Sequence, residues 1–458
     1  MTRLMSATAM LVLVGTARAE QWLQRYHDAQ HTSFINGTVD PLNRVTFRYT
    51  FDLNNSALIH FTDPKIESNG DLFVPHRERN GSVITYGVRR LTNGDEVWSF
   101  TSDYVRQPSG AWEPVFDFAL NNGIVYVMGG NGCLWRLNES DGSMIDRKCA
   151  TDPIDPTGEP IWDVSPFAID GNGNVFWTIR SNSDLIGSSL VKLDPSGTVT
   201  ASDLESLVGS GQVAANNSAP AISADNSVIY VATTAGDGVL TALDATDPAL
   251  RTTLWTASLS PGGDCGAAIL IDSGTSSPVA LPDGAAIGGW GPDPSSEGWY
   301  YSFDSSGNLR GCYPFGWDDT MGQINLNGNT YLVGKHNHYT QGSSQCNNGI
   351  DPPVNPPCYE VVVLDAATMA KQWSYLEPGA PPNEWCIDAP TLFKDGEAGY
   401  FVVPSESGKL YRVRIFSNPP EETDIAVGPF QSAAYVPTVS IGGSAYTINH
   451  GQIVGAGY

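Results

Sequence analysis

The stretch SVIYVATTAGDGVLTALDATD, Ser227–Asp247, decides the fold. Two short runs rich in β-branched and aromatic residues, Val228–Thr234 and Val239–Leu243, flank the turn residues Ala235-Gly236-Asp237-Gly238. Such runs bounded by Gly and Asp read as an antiparallel hairpin. The second run ends in Leu243-Asp244, and Trp255 follows a short turn later. A near copy stands at VVVLDAATMAKQW, Val361–Trp373. Self-similarity of this kind decides architecture before any single motif does.

The unit recurs along the chain. The first copy runs from Asp63-Pro64 through Asp71–Pro75 to Leu91 and Trp98. Later copies open at Glu113-Pro114, Ser165-Pro166, Ala219-Pro220 and Ala389-Pro390, with a degenerate fifth copy around Tyr300–Gly307 and a sixth opening at Gly322. The Leu-Asp-like positions Leu91, Leu137, Leu193, Leu243, Phe303, Leu364 and Val413 recur at about 50 to 60 residues, the length of a four-stranded propeller blade with loop insertions. Helical periodicity is nearly absent, and Ser202–Gly211 is the main short-helix candidate. Ala433–Tyr458 supplies the early strands of one more blade, and Val45–Phe51 looks like a last strand without a blade of its own. Pairing the two ends would hide both sheet edges. The expectation is an all-β chain, a single β-propeller of eight blades closed by its N- and C-terminal strands, with seven blades as the alternative.

With these repeats in view, the sequence resembles the PQQ-like, or quinoprotein alcohol dehydrogenase-like, β-propeller superfamily. VLTALDATD, VVVLDAATMAKQW and the opening segment WLQRYHDAQHT, Trp22–Thr32, carry the resemblance, which covers nearly all of the chain. It implies fold more than function, because this propeller hosts dehydrogenases, outer-membrane assembly scaffolds and other secreted proteins. The enzymes of the superfamily use a vicinal disulfide over the quinone, a Trp on its other face, Ca²⁺ on Glu and Asn oxygens, and an Asp base. This chain has no adjacent cysteines and no C-x-x-C-H for an attached haem. PQQ is therefore not expected, while Ca²⁺ stays open as a cofactor. The scaffold members need a lipid anchor, and no cysteine follows the apolar N-terminal run.

The N-terminus reads as an export signal over residues 1–19, with Arg3, the apolar run Leu4–Gly15 and the cleavage pattern Ala17-Arg18-Ala19. The propeller domain is then 20–458, secreted or periplasmic, with no membrane span and as a monomer. The formal charge of -25 becomes -27 once Arg3 and Arg18 leave. That balance argues against nucleic acid, which needs clustered Lys and Arg. Seven cysteines suit an oxidising compartment. Cys133 with Cys149 and Cys346 with Cys358 are nearest in sequence, Cys265 and Cys312 flank one repeat, and Cys386 is left over; connectivity is not fixed by sequence.

A propeller binds ligands at the mouth of its channel, where loops enter the innermost strands. Acids recur there at Asp63, Glu113, Asp163, Asp264, Asp319 and Asp388, with Trp112, Trp162, Trp317 and Trp385 close by. Converging carboxylates suit Ca²⁺ or a shared acid–base role, and rings beside carboxylates suit sugars. The competing reading gives Asp to turn capping and Trp to blade spacing. His336 and His338 share one strand face and could seed a metal site or a base near neutral pH, against a disulfide-pinned surface loop. His27, Asp28 and His31 have no G-x-S-x-G serine to serve, so their segment reads as a plug under the ring. The leading expectation is a module binding an extracellular ligand or protein, with a glycan as one candidate. The alternatives are a quinone- and Ca²⁺-dependent oxidoreductase or a carbohydrate-active enzyme at the channel mouth.

Overall fold

A computed structural model describes residues 21–50, 62–80, 83–104, 115–150, 161–181, 188–215, 217–235, 237–267, 276–289, 298–315, 319–338, 358–378, 387–428, 437–449 and 451–457. The strands form eight separate antiparallel sheets, each the blade of one propeller. Blade 1 holds Lys65–Ile66, Leu72–Asn80, Val83–Thr92 and Asp95–Ser102, in that order from the inside out. Blades 2 to 7 repeat the pattern in chain order; in blades 3 and 4 the inner strand is split into two pieces. Blade 8 takes three strands from Val439–Gly457 and its outer strand, Arg44–Thr50, from the N-terminal part. Pairing of Arg44 with Gly457 through Thr50 with Gln452 closes the ring as the split repeat implies. The eight-bladed form is the one observed. The expected helix is one short turn, Leu204–Val208, capped by the Asp203 side chain on the N–H groups of Glu205 and Ser206.

The blade-to-blade contact follows from the Trp in the repeat. In blades 1, 4 and 6 a bulge near the start of the outer strand shifts the register beside Trp98, Trp255 and Trp373. Each indole N–H donates to a backbone carbonyl of the next blade: Glu139 at 2.9 Å, Ser305 at 3.1 Å and Ser417 at 3.3 Å. Glycine is required where the ring lands. A Cβ on Gly142 would lie 2.7 Å from the Trp98 ring, and one on Gly307 would lie 2.8 Å from Trp255.

Among the described residues two disulfides join the outer layers, Cys133–Cys149 within blade 2 and Cys265–Cys312 from the blade 4 to 5 connection into the outer strand of blade 5. Cys346 and Cys386 lie outside the described residues, and Cys358 begins the third strand of blade 6. Among the described residues, no helix is long and apolar enough to cross a membrane.

Candidate functional site

One end of the channel is filled by the chain itself. Residues 21–40 run around the inside of the ring and bond each blade in chain order. Trp22 exchanges two backbone bonds with Ile66 of blade 1, at 2.7 and 2.8 Å. Leu120 N–H of blade 2 donates to Leu23 O at 2.8 Å, and the Gln24 amide clasps the backbone of Ile169 in blade 3. Ile222, Ala280, Gln323 and Leu392 of blades 4 to 7 donate to the carbonyls of Ala29, Gln30, Thr32 and Ser33, at 2.7 to 3.0 Å. Asp40 N–H reaches Gly443 O of blade 8 at 2.8 Å. In blades 1, 2, 6 and 7 the contacting residue, Ile66, Leu120, Gln323 or Leu392, comes three or four residues after Asp63, Asp117, Asp319 or Asp388, so the girdle crosses downstream of these acids. Tyr26, His27, His31 and Ser33 hold φ between 49° and 81°, a backbone region that costs a non-glycine residue free energy. Bonds to eight blades hold them there. This girdle is the plug that the opening segment implies.

Above the girdle lies a buried ion cluster. Asp63, Lys65 and Asp117 are fully buried and Arg25 nearly so. Lys65 Nζ stands 3.0 Å from Asp63 Oδ1 and 3.5 Å from Asp117 Oδ1. Trp22 Nε1 donates to Asp63 Oδ2 at 2.5 Å. Burial pulls the Arg25 guanidinium down, but Tyr26, Asp117 and Asp63 outweigh it and leave it raised. Burial pushes the Asp117 carboxyl up against the pull of Lys65 and Arg25. Burial also drives His31 down to about 4; its Nδ1 meets Pro278 O at 2.8 Å, so the ring is neutral at pH 7.

The inner strands begin on the other side of these contacts, at the end expected from the sequence to be the mouth. Asp319, Glu377, Asp388 and Glu406 are all buried there, from the inner-strand starts of blades 6 and 7 and nearby loops. Asp319 Oδ2 accepts from Lys335 N–H and Tyr300 O–H, both at 3.3 Å. Glu377 accepts from Ser405 Oγ at 2.8 Å and from Tyr411 O–H at 3.0 Å. Asp388 donates its N–H to Pro404 O at 3.0 Å, yet neither of its carboxyl oxygens has a hydrogen-bond partner. Burial raises its carboxyl well above the usual range; Glu406, Asp319 and Glu377 add to that, and only Lys335 opposes it.

The sequence candidates distribute as follows. Asp63, Asp319 and Asp388 are buried at inner-strand starts. Asp163 lies on the Ile161–Val164 strand, its backbone opposite Arg180 in the sheet register. Asp264 sits on an exposed turn beside the Cys265–Cys312 disulfide. Trp112, Glu113, Trp317 and Trp385 lie outside the described residues, as does the side chain of His338. His336 Nδ1 faces Tyr313 O–H at 3.1 Å and Glu360 Oε2 at 3.5 Å, and Glu360 is held by Lys371 at 2.6 Å. Burial alone would raise Glu360, but His336 and Lys371 bring it down to about 2. Among the described residues no three His, Cys, Asp or Glu side chains are grouped to hold a metal ion.

Sequence reasoning passed over Asp117, Lys65, Arg25, Lys335, Glu377 and Glu406. Asp117 carries a usable signal: it precedes Leu120 by the same interval that separates Asp63 from Ile66. The Glu113-Pro114 pair stands four residues ahead of Asp117.

Comparison with solved structures settles the architecture. The chain superposes on the quinohemoprotein alcohol dehydrogenase of Comamonas testosteroni with a TM-score of 0.61 and 14% identity, covering 95% of this chain and 77% of that one. It has the fold of the PQQ-like β-propellers. The quinohemoprotein alcohol dehydrogenase from Pseudomonas putida gives 0.61 at 11% identity, covering 95% and 80%. A europium-containing methanol dehydrogenase gives 0.60 at 10%, covering 93% and 89%. No protein-family model matches the sequence, and no curated protein does. At these identities the PQQ-like likeness is one of fold.

Proposed function

We propose that this PQQ-like propeller is a binding module that takes its ligand at the mouth, between the inner-strand starts of blades 6 and 7. The observation that supports this is Asp388. A fully buried carboxyl with two unbonded oxygens is an arrangement that folding alone does not favour, since each lost bond costs about 1–3 kcal/mol. Such orphaned groups concentrate at sites built for something else. The girdle occupies the other end, so ligand reaches the channel from the mouth side. A glycan or a protruding segment of a protein partner both suit a mouth of this kind. The disulfides and the export signal expected over 1–19 favour a secreted or periplasmic setting, with the protein acting as a monomer.

The quinone-dependent alternative finds no support in the donor set. The chain has no adjacent cysteines to stack on a quinone, and the described residues offer no grouped metal ligands.

The test is a thermal-shift screen of the full chain against neutral oligosaccharides, organic cations, organic anions and peptides. Each binder is then repeated on Asp388→Asn at the mouth and on Asn121→Ala at the girdle end. Binding lost in the first variant and kept in the second supports the mouth. Binding lost only in the second overturns it.

A further inference from the structure

Carboxylates accept hydrogen bonds and never donate them, so every buried one needs donors. At the mouth the supply is uneven. Asp319 has a backbone N–H and a tyrosine hydroxyl, and Glu377 has a serine and a tyrosine hydroxyl. Asp388 has none on either oxygen. Of the charged neighbours that bear on Asp388, Lys335 is the cation, and Asp319, Glu377 and Glu406 are anions. Four buried carboxyls thus face two ammoniums, Lys335 beside Asp388 and Lys409 beside Glu377, and the one carboxyl without donors is the most deeply buried of the four. What the arrangement lacks is a donor that also carries positive charge.

We infer that the mouth selects an organic cation, a primary ammonium or a guanidinium, whose N–H groups engage the two free oxygens of Asp388. This rests on the reading of the mouth as the binding site and names the ligand class. A divalent metal fits less well. It demands several oxygens converging at one point, and the described residues hold no such group. The neighbouring carboxylates are also tied by Ser405, Tyr411 and Tyr300. An ammonium or guanidinium needs only directed acceptors, and a carboxylate offers a guanidinium two at once. The chain's charge of -25 adds a long-range field that draws cations toward it. The raised protonation of Asp388 in the ligand-free protein agrees with this, because a bound cation replaces the proton.

The probes are n-butylammonium, methylguanidinium, the neutral n-butanol and Ca²⁺, each titrated into the full chain with binding read by calorimetry. Proton release is read by repeating the titration in buffers of different ionisation heat. The expected result is saturable binding of one or both organic cations, no binding of n-butanol, and release of up to one proton per cation. Asp388→Asn is expected to weaken that binding about ten-fold or more. Should that variant not fold, Glu406→Gln serves, with a smaller loss expected from the reduced negative field. Equal binding of n-butanol, or cation binding untouched in both variants, overturns the inference. Ca²⁺ binding lost in Asp388→Asn without organic-cation binding also overturns it, while leaving the mouth as the site. A neutral oligosaccharide as the only binder lost in Asp388→Asn has the same meaning. No binding at the mouth by any class removes both readings.

Discussion

Replacing Lys65 by Met tests the physical account of the channel interior. The Lys65 ammonium lies 3.0 Å from one Asp63 oxygen and 3.5 Å from one Asp117 oxygen, with all three side chains fully buried. At an effective dielectric of about 20, each attraction amounts to roughly 5 kcal/mol before desolvation is counted. Desolvating the three charges cancels much of that, so the intact cluster contributes little net stability. Breaking it is different. Lys65→Met keeps the apolar stem but leaves two carboxylates facing Arg25 alone among these four groups, which costs about 3–5 kcal/mol. Equilibrium urea unfolding at pH 7, followed by tryptophan fluorescence, measures that loss. Adding Asp117→Asn removes one uncompensated charge and is expected to restore about 1–2 kcal/mol. At pH 3 the deficit of the single variant is expected to shrink, since the Asp117 carboxyl, pushed up by burial, takes up a proton. A loss below about 1 kcal/mol at pH 7, or a double variant no more stable than Lys65→Met, would refute the reasoning.

Three further outcomes are expected. Glu67 stands with Glu139 at a cavity of about 390 Å³ on the girdle end, and burial followed by Glu139 pushes its carboxyl up to about 7 from 4.5. The folded protein therefore holds this proton more tightly than the unfolded chain. Its contribution is full below about 4.5 and is lost as pH rises through about 7. Glu67→Gln should flatten stability across that window and gain about 1 kcal/mol at pH 8, given solvent screening of this half-exposed group; unchanged pH dependence in urea melts counts against it. Gly307→Ala, at φ 80° and 2.8 Å from the Trp255 ring, should cost about 2 kcal/mol in the same melts, whereas Gly328→Ala, with φ 82° and open space, should cost about 1 kcal/mol. Reduction of Cys265–Cys312, read as the difference between the wild type and a Cys265→Ser/Cys312→Ser variant, should lower stability by about 2–5 kcal/mol, since it closes a 47-residue span.

Local chemistry made the fold legible. The hairpin at Ser227–Asp247 forms as Val228–Thr234 paired with Gly238–Asp244, because β-branched runs and a Gly-Asp turn specify it without help from distant residues. Ring closure was legible for the same reason: Val45–Phe51 lacks partners nearby in sequence, and the strand Arg44–Thr50 finds them at Gln452–Gly457. The interior was legible only in part. Asp63, Asp319 and Asp388 announce themselves by preceding an inner strand, but Lys65 and Lys335 look like ordinary strand residues until the ring turns them inward. Arg25 lies in a segment with no repeat to locate it, so its place against Asp63 and Asp117 depends on the girdle's path through all eight blades. That path is set mostly by backbone bonds, with the Gln24 amide on Ile169 as a side-chain exception, and backbone bonds leave no mark on side-chain pattern. The orphaned state of Asp388 is a property of its neighbours, and no reading of residue 388 alone yields it.

The central claim, a propeller shut at one end by its own N-terminal segment and binding at the other, is tested most directly by hydrogen–deuterium exchange on the whole chain, with and without a saturating binder from the screen. The account predicts slow exchange through Trp22–Ile35 in both states, with protection gained on binding at Ile387–Thr391 and Ser405–Ser407. Fast exchange through Trp22–Ile35, or protection gained at Gln21–Gln30 and Asn121–Gly123 with none at the mouth, would contradict it.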